Sequence, residues 1–251
     1  MKCGRKAIMW IALVLCLVCA VLLALALHSR AEHAKPASKD PEGAIAAQED
    51  EDRTVDVPVD FAAWQERNPD VYAWIEYPGT NVDYPIVQSA EDDAYYLRRD
   101  IDGKEAVAGS LYTEHTYNSK TFDDPVTVIY GHNMANRTMF GGLQSHIESA
   151  DLASTEEYFY VYLPGRILTY RVVGGAPGDD AHILYYNDFS DPTGFSNYFG
   201  NLYAQSGEHV NLPGLLRPSP DDRVVILATC MNGEKYLRYL IIGVLTDDTA
   251  D

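Results

Sequence analysis

Cys230, Arg238 and His132 are the residues of this chain whose types and settings fit acyl transfer. Cys230 ends the run Val224-Val225-Ile226-Leu227-Ala228-Thr229, which reads as a buried strand that delivers a thiol to its tip. Acyl transfer from a peptide carbonyl needs a thiolate to attack and a positive donor for the tetrahedral oxyanion. Arg238, always charged and fork-shaped, supplies the donor; the N–H of Met231, next after the thiol, is a candidate second one. A general acid and base is also required, and His132, which follows Val126-Thr127-Val128-Ile129-Tyr130-Gly131, stands in a comparable setting. The other six of the seven histidines, His28, His33, His115, His146, His182 and His209, fall in the apolar end, loops, a helix surface or a strand start, and read as solvated or structural. No second His, Cys or carboxylate stands at ligand spacing from His132, so no metal is expected, and no organic cofactor is needed.

These groups must be positioned by the elements around them. Met231 to Lys235 is turn-like and Tyr236 to Leu245 reads as a strand, so antiparallel pairing across the turn returns Arg238 to Cys230. Upstream, Asp60 caps a helix holding Phe61, Trp64 and Gln65, stopped at Asn68-Pro69. Tyr72–Tyr77 and Val82–Val87 flank Pro78-Gly79-Thr80-Asn81 as a hairpin. Glu91 to Arg98 predicts a short helix and Gly109 to Glu114 a strand. A loop and then a helix with Met139, Phe140, Leu143 and Ile147 follow the His132 strand, and the glycine before His132 is read as permitting a tight turn. Tyr158–Leu163 and Ile167–Val173 form a hairpin over Pro164-Gly165, Ala181–Tyr186 predicts a further strand, and Phe195–Gln205 a helix. Short strands that outnumber the helices predict a mostly β fold, a closed or nearly closed barrel.

The Leu227-Ala228-Thr229-Cys230 run with Arg238 downstream, and Tyr130-Gly131-His132-Asn133-Met134 upstream, resemble a sortase in order and spacing. Asn81 to Gln88, Tyr95-Tyr96-Leu97, Gly109-Ser110-Leu111-Tyr112 and Met139-Phe140-Gly141 are similar to class B members, so the resemblance spans about Phe61 to Leu245. Two positions depart from the family signature: Ile226 stands where threonine is usual, and Ala228 where serine is common. The resemblance implies a sortase-like closed β-barrel of about eight strands, with an N-terminal helix and a helix between the stretch Ala181–Tyr186 and the Cys230 strand. It also implies a cysteine transpeptidase of the cysteine peptidase class. Cys230 is then the nucleophile, and a C-terminal sorting motif of a surface protein is cut after threonine through a thioacyl intermediate. The acceptor is an amine of a peptidoglycan precursor, or a pilin lysine in polymerising members. Substrate contacts are expected from Leu184 and Tyr185, from Asp93 and Leu97 on the opposite wall, and from Ala228 and Thr229 beside the thiol. The same residues serve a hydrolase with water as acceptor, and a surface domain without turnover is the third class.

The rest of the chain says where this chemistry would operate. Residues 7–27 carry no charge and suffice to cross a bilayer as a helix. Lys2, Arg5 and Lys6 in the 1–6 tail precede them, so the positive-inside rule places the remainder outside. The run exceeds the usual h-region of about 7–15 residues, which predicts an uncleaved single-pass anchor in the cell membrane of a Gram-positive bacterium. Residues 28–59, rich in Ala, Pro, Ser, Glu and Asp, read as a disordered tether. The catalytic domain is placed at 60–246 and a short tail at 247–251. Of four cysteines, Cys3, Cys16 and Cys19 fall in or before the anchor, leaving Cys230 alone beyond it and without a partner for an intramolecular disulfide. The formal charge is −18, with 19 basic against 37 acidic residues; without Lys2, Arg5 and Lys6, 16 basic residues remain and the outer part carries −21. Such a surface excludes nucleic acid and anionic lipid as partners, because polyanions need a basic face.

Overall fold

The computed structural model describes residues 55–250 apart from Leu215 and Lys235. The 7–27 run and nearly all of the tether lie outside the described residues, among which no helix is long and apolar enough to cross a membrane.

The described chain opens with helix α1 (Phe61–Arg67), where the Asp60 carboxylate accepts from the Ala63 N–H at 3.0 Å, a side-chain N-cap. Then come β1 (Val71–Tyr77), β2 (Val82–Val87), a single 3₁₀ turn (Tyr95–Arg98), β3 (Leu111–Tyr112) and β4 (Val126–Tyr130). Helix α2 (Leu143–Ser149), β5 (Tyr158–Leu163), β6 (Arg166–Asp179), α3 (Ile183–Tyr186), α4 (Pro192–Tyr203), β7 (Val224–Cys230) and β8 (Leu237–Asp248) complete it. The strands close into a barrel in the order β1-β2-β3-β4-β7-β8-β6-β5. Pairing is antiparallel except at β2–β3 and β4–β7.

Strand alternation divides the apolar residues between two cores. Ile75, Ile129, Phe159, Tyr170, Val225, Leu227 and Ile241 fill the barrel interior, as expected of an eight-stranded barrel too narrow for a channel. The alternate set, Val128, Ile226, Ala228, Leu240 and Ile242, faces outward and is covered by Phe195, Phe199 and Leu202 of α4. Helix α4 starts where the Asp191 side chain caps the N–H groups of Thr193 and Gly194 and Pro192 occupies the first turn.

Several stretches differ from the sequence reading, among them the helix after His132, which begins only at Leu143 and leaves Met139 and Phe140 in the loop. Ala181–Tyr186 is not a strand: β6 runs on to Asp179 and pairs there with Leu237 of β8, and the chain then leaves the sheet as α3. His182 caps that helix, its Nδ1 accepting the Tyr185 N–H at 3.1 Å. Glu91–Arg98 makes only the 3₁₀ turn, because Ser89 Oγ and Asp92 Oδ1 take the Asp92 and Ala94 N–H groups into local side-chain turns. The β3 strand is two residues long, and β8 continues past 246 to Asp248.

That last extension closes one end of the barrel. The buried Asp248 carboxylate receives Arg166 at 2.6 Å and Arg223 at 2.9 Å, and both arginines also reach Asp123. Hydrogen bonding to Arg166 holds the Asp248 carboxyl at about 2, against the opposing effect of burial. Asp248→Ala leaves two arginines sharing the more exposed Asp123, and a loss of about 3 kcal/mol is expected, read as a lower melting temperature. An unfolded aspartate titrates near 3.9, so this depressed group stabilises the fold fully above about pH 4. The contribution drains away as pH falls through about 2. Acid unfolding of the wild type should therefore show a component in that window that Asp248→Ala lacks.

Candidate active site

Strand order places Cys230 between β8, which carries Arg238, and β4, which leads to His132. On one side β7 runs antiparallel to β8, with Cys230 directly opposite Arg238; directly opposed residues share a face of the sheet. On the other side β7 runs parallel to β4 with Tyr130 level with Ala228, and the Gly131 N–H donates to the Ala228 carbonyl at 3.1 Å. The paired stretch ends there, with His132 two residues beyond Tyr130 and Cys230 two beyond Ala228. Cys230, Arg238 and His132 line one cleft of 240 Å³, together with Leu97, Tyr112, Glu114, Tyr130, His182 and Ala228. Strand β7 is buried along its length until Cys230, which is exposed with a free thiol. A larger surface cavity of 570 Å³ between Tyr95 and Val107 contains no nucleophile.

The ring of His132 is held by the 3₁₀ turn: its Nε2 lies 2.7 Å from the Leu97 carbonyl oxygen. A carbonyl only accepts, so Nε2 carries a proton and Nδ1 is the nitrogen left to exchange one. Gly131 earns its place by close approach rather than by turn geometry. A methyl there would run into the side chains of Leu111 and Phe140. The loop beyond His132 holds Arg137 and Met139 at φ of 64° and 53°, a left-handed backbone costing about 1 kcal/mol or more per residue. Its anchors are the Phe140 N–H to the His132 carbonyl at 3.0 Å and the Met139 N–H to Tyr84 Oη at 3.3 Å.

Arg238 is half-buried; its guanidinium donates to its neighbour's carbonyl, Leu237 O, at a long 3.3 Å. It forms no salt bridge among the described residues, so most of its donors remain for a ligand. Met231 is different. Its N–H donates to the Leu237 carbonyl at 3.1 Å, which closes the β7–β8 turn and points this donor away from an oxyanion in the arrangement seen.

The expected substrate contacts divide. Leu97 and Ala228 line the cleft, as does Thr229. However, Thr229 is buried, with Oγ1 lacking a hydrogen-bond partner, because it alternates with Cys230 toward the barrel interior. Leu184 and Tyr185 line a separate groove with Tyr117, Tyr186 and Phe189. Asp93 is not in the cleft wall; it binds His115 at 2.6 Å and the Thr116 N–H at 3.3 Å. Burial tends to raise its carboxyl, but hydrogen bonds from Thr116 and the charge of His115 leave it lower than usual.

Two cleft residues, Glu114 and His182, are not among the site residues expected from the sequence. Glu114, buried just after β3, meets His182 Nε2 at 2.9 Å. Since His182 Nδ1 accepts from Tyr185, Nε2 is the protonated nitrogen, and it faces the Glu114 carboxylate outside hydrogen-bond geometry. This clasp joins the β3 wall of the cleft to the α3 wall. Burial pushes the Glu114 carboxyl up and the His182 contact partly offsets that. Glu114 sits at a predicted strand end and His182 at a predicted strand start, and neither position carries a local signal that the two meet.

No protein-family model matches the chain. A sortase B of Listeria monocytogenes is 30% identical over 174 residues, covering 68% of this chain and 67% of the relative. The solved Clostridium perfringens sortase B superposes with a TM-score of 0.60 at 24% identity, covering 74% of this chain and 100% of that one. The Staphylococcus aureus sortase B–substrate complex gives 0.63 at 18% identity, covering 74% and 84%. The barrel, the register at its open end and this likeness lead to one conclusion: the chain belongs to the class B sortases, a family of cysteine transpeptidases.

Proposed function

We propose that this sortase cleaves a C-terminal sorting motif after its threonine and transfers the acyl group to an amine of a peptidoglycan precursor. The carrying observation is that the β7–β8 register sets Cys230 opposite Arg238 and that both line one cleft with His132. Cys230 Sγ attacks the scissile carbonyl as a thiolate, forming a C–S bond. The oxyanion is met by the Arg238 guanidinium. When the tetrahedral centre collapses, the C–N bond breaks and the leaving amine takes a proton from protonated His132, leaving a thioacyl enzyme. The incoming amine then attacks; His132 accepts its proton and the thiolate departs. The Nε2 bond to Leu97 keeps the ring oriented through both half-reactions, with Nδ1 as the exchanging atom.

The test is mass spectrometry of products from the soluble domain, a panel of sorting-motif peptides and an amine acceptor. Product joined to the amine supports the reading. Hydrolysed peptide alone, indifferent to amine concentration, would make the domain a cysteine hydrolase. Transfer only to a lysine-bearing peptide would make it a polymerising enzyme.

The membrane reading is part of the same proposal, resting on the uncharged 7–27 run behind Lys2, Arg5 and Lys6. Protease shaving of intact cells is expected to remove the domain while the N-terminal segment stays with the membrane fraction. A mature chain starting near Leu27 would show a cleaved signal instead.

A further inference from the structure

Asn133, the residue after His132, has its side chain on the main chain of the nucleophile. Its Nδ2 lies 2.8 Å from the Cys230 carbonyl oxygen and 2.8 Å from Asn232 Oδ1. A carbonyl only accepts, so the amide nitrogen, not the oxygen, faces Cys230, and both of its hydrogens are used. Asn232 is itself fixed, its N–H donating to Gln144 Oε1 of α2 at 3.0 Å.

The consequence follows from peptide geometry. The Cys230–Met231 bond is trans, so its C=O and N–H point in opposite directions from one plane. Holding the carbonyl toward Asn133 therefore aims the Met231 N–H the other way, where it meets the Leu237 carbonyl at 3.1 Å. The two ends of this plane are pinned by two different elements, the loop after β4 and the start of β8. The same pinning fixes the backbone from which Cys230 Sγ projects, relative to the loop that carries His132.

We propose that Asn133 is a positioning residue: by gripping the Cys230 carbonyl it sets the orientation of the Cys230–Met231 peptide, and so the aim of the thiol and of the Met231 N–H. Its two side-chain hydrogen bonds go to the Cys230 carbonyl and Asn232 Oδ1, not to the thiol. The inference rests on the catalytic reading above, and deepens it by naming what holds nucleophile and imidazole in one register. Misplacement of a reacting group by about 1 Å is worth up to about 10² in rate. Loss of the grip should therefore act on the chemical step and spare binding.

The experiment compares the full chain in detergent with Asn133→Ala and Asn133→Asp, using a sorting-motif peptide that the wild type acylates. Alkylation by iodoacetamide is followed in parallel at the Cys230 peptide across pH. For Asn133→Ala, kcat of acylation is expected to fall about 10- to 100-fold with KM within about twofold. Asn133→Asp keeps the shape, but sets a carboxylate against the Cys230 carbonyl near the thiol. It should be at least as slow and should also move the alkylation midpoint to higher pH, a shift that the alanine variant lacks. Wild-type kcat in Asn133→Ala, or a raised KM with kcat unchanged, overturns the assignment. If the alanine variant does not fold, the isosteric aspartate decides: unaltered kcat and an unmoved midpoint overturn it, whereas both changes support it. Absence of any thioacyl adduct in the wild type refutes the catalytic reading instead, and the alkylation midpoints still report on Asn133.

Discussion

Cys230→Ala is expected to abolish thioacyl formation and transfer while leaving the melting temperature nearly unchanged. The two halves of this expectation have separate causes. Chemically, removing Sγ removes the atom that forms the covalent bond, and no other thiol follows residue 19. Water could still be used as a nucleophile in an intact pocket, but losing the nucleophile of a coupled catalytic group typically costs about 10⁶ in kcat. Structurally, Cys230 is the one exposed residue of β7, beyond the buried run that the barrel and α4 enclose. A substitution at such a position changes stability by about 0.5 kcal/mol or less. The partner measurement is alkylation of the soluble domain, which should take up one label and lose activity in proportion. Turnover retained by the alanine variant would remove Cys230 from the mechanism; a large drop in melting temperature would show that the thiol packs as a core residue.

The Cys230–Arg238 end of the barrel was legible because its pattern is local. Uninterrupted apolar β-formers from Val224 announce a strand buried on both faces, and the exposed polar tip follows from where the run stops. The turn Met231–Lys235 then forces Arg238 back to Cys230, a pairing that β8 reproduces residue for residue. Elements set by tertiary competition were harder to read. Ala181–Tyr186 has strand-forming residues, yet β6 already occupies the edge of β8 down to Leu237. The segment has no ladder to join and takes the helix that His182 caps. Gly131 was read as a turn residue, but its constraint comes from Leu111 and Phe140, which lie far apart in sequence. The Glu114–His182 clasp and the Asn133 grip on Cys230 have the same character: each joins residues separated by scores of positions, and no spacing rule reports such contacts. Asp93 shows the converse. It was expected in the wall opposite Leu184, but it does not line the cleft, and its carboxylate turns to His115 and Thr116.

Arg238→Lys is expected to lower the acylation rate by roughly 10²–10³, the size of losing one good oxyanion donor, in a protein that still folds. The position is not a salt-bridge site: among the described residues Arg238 pairs with no carboxylate, and its contact with the Leu237 carbonyl is long, at 3.3 Å. Its structural contribution is therefore small, and either lysine or alanine should leave the melting temperature little changed. What lysine cannot reproduce is the planar fork, with several N–H groups fixed in one direction across from Cys230. An ammonium on a flexible stem keeps the charge and loses the geometry. Geometry carries unusual weight here because the Met231 N–H is engaged with the Leu237 carbonyl in the arrangement seen. If Arg238 served only to favour the thiolate, lysine would work nearly as well, and alanine would chiefly raise the pH at which Cys230 reacts with a small alkylating agent. Acylation rate, alkylation against pH and melting temperature on both variants separate these roles. A lysine variant that acylates at the wild-type rate defeats the geometric role. A slow lysine variant with an unmoved alkylation midpoint establishes it, because the thiolate is then intact and only the fit to the oxyanion has been lost.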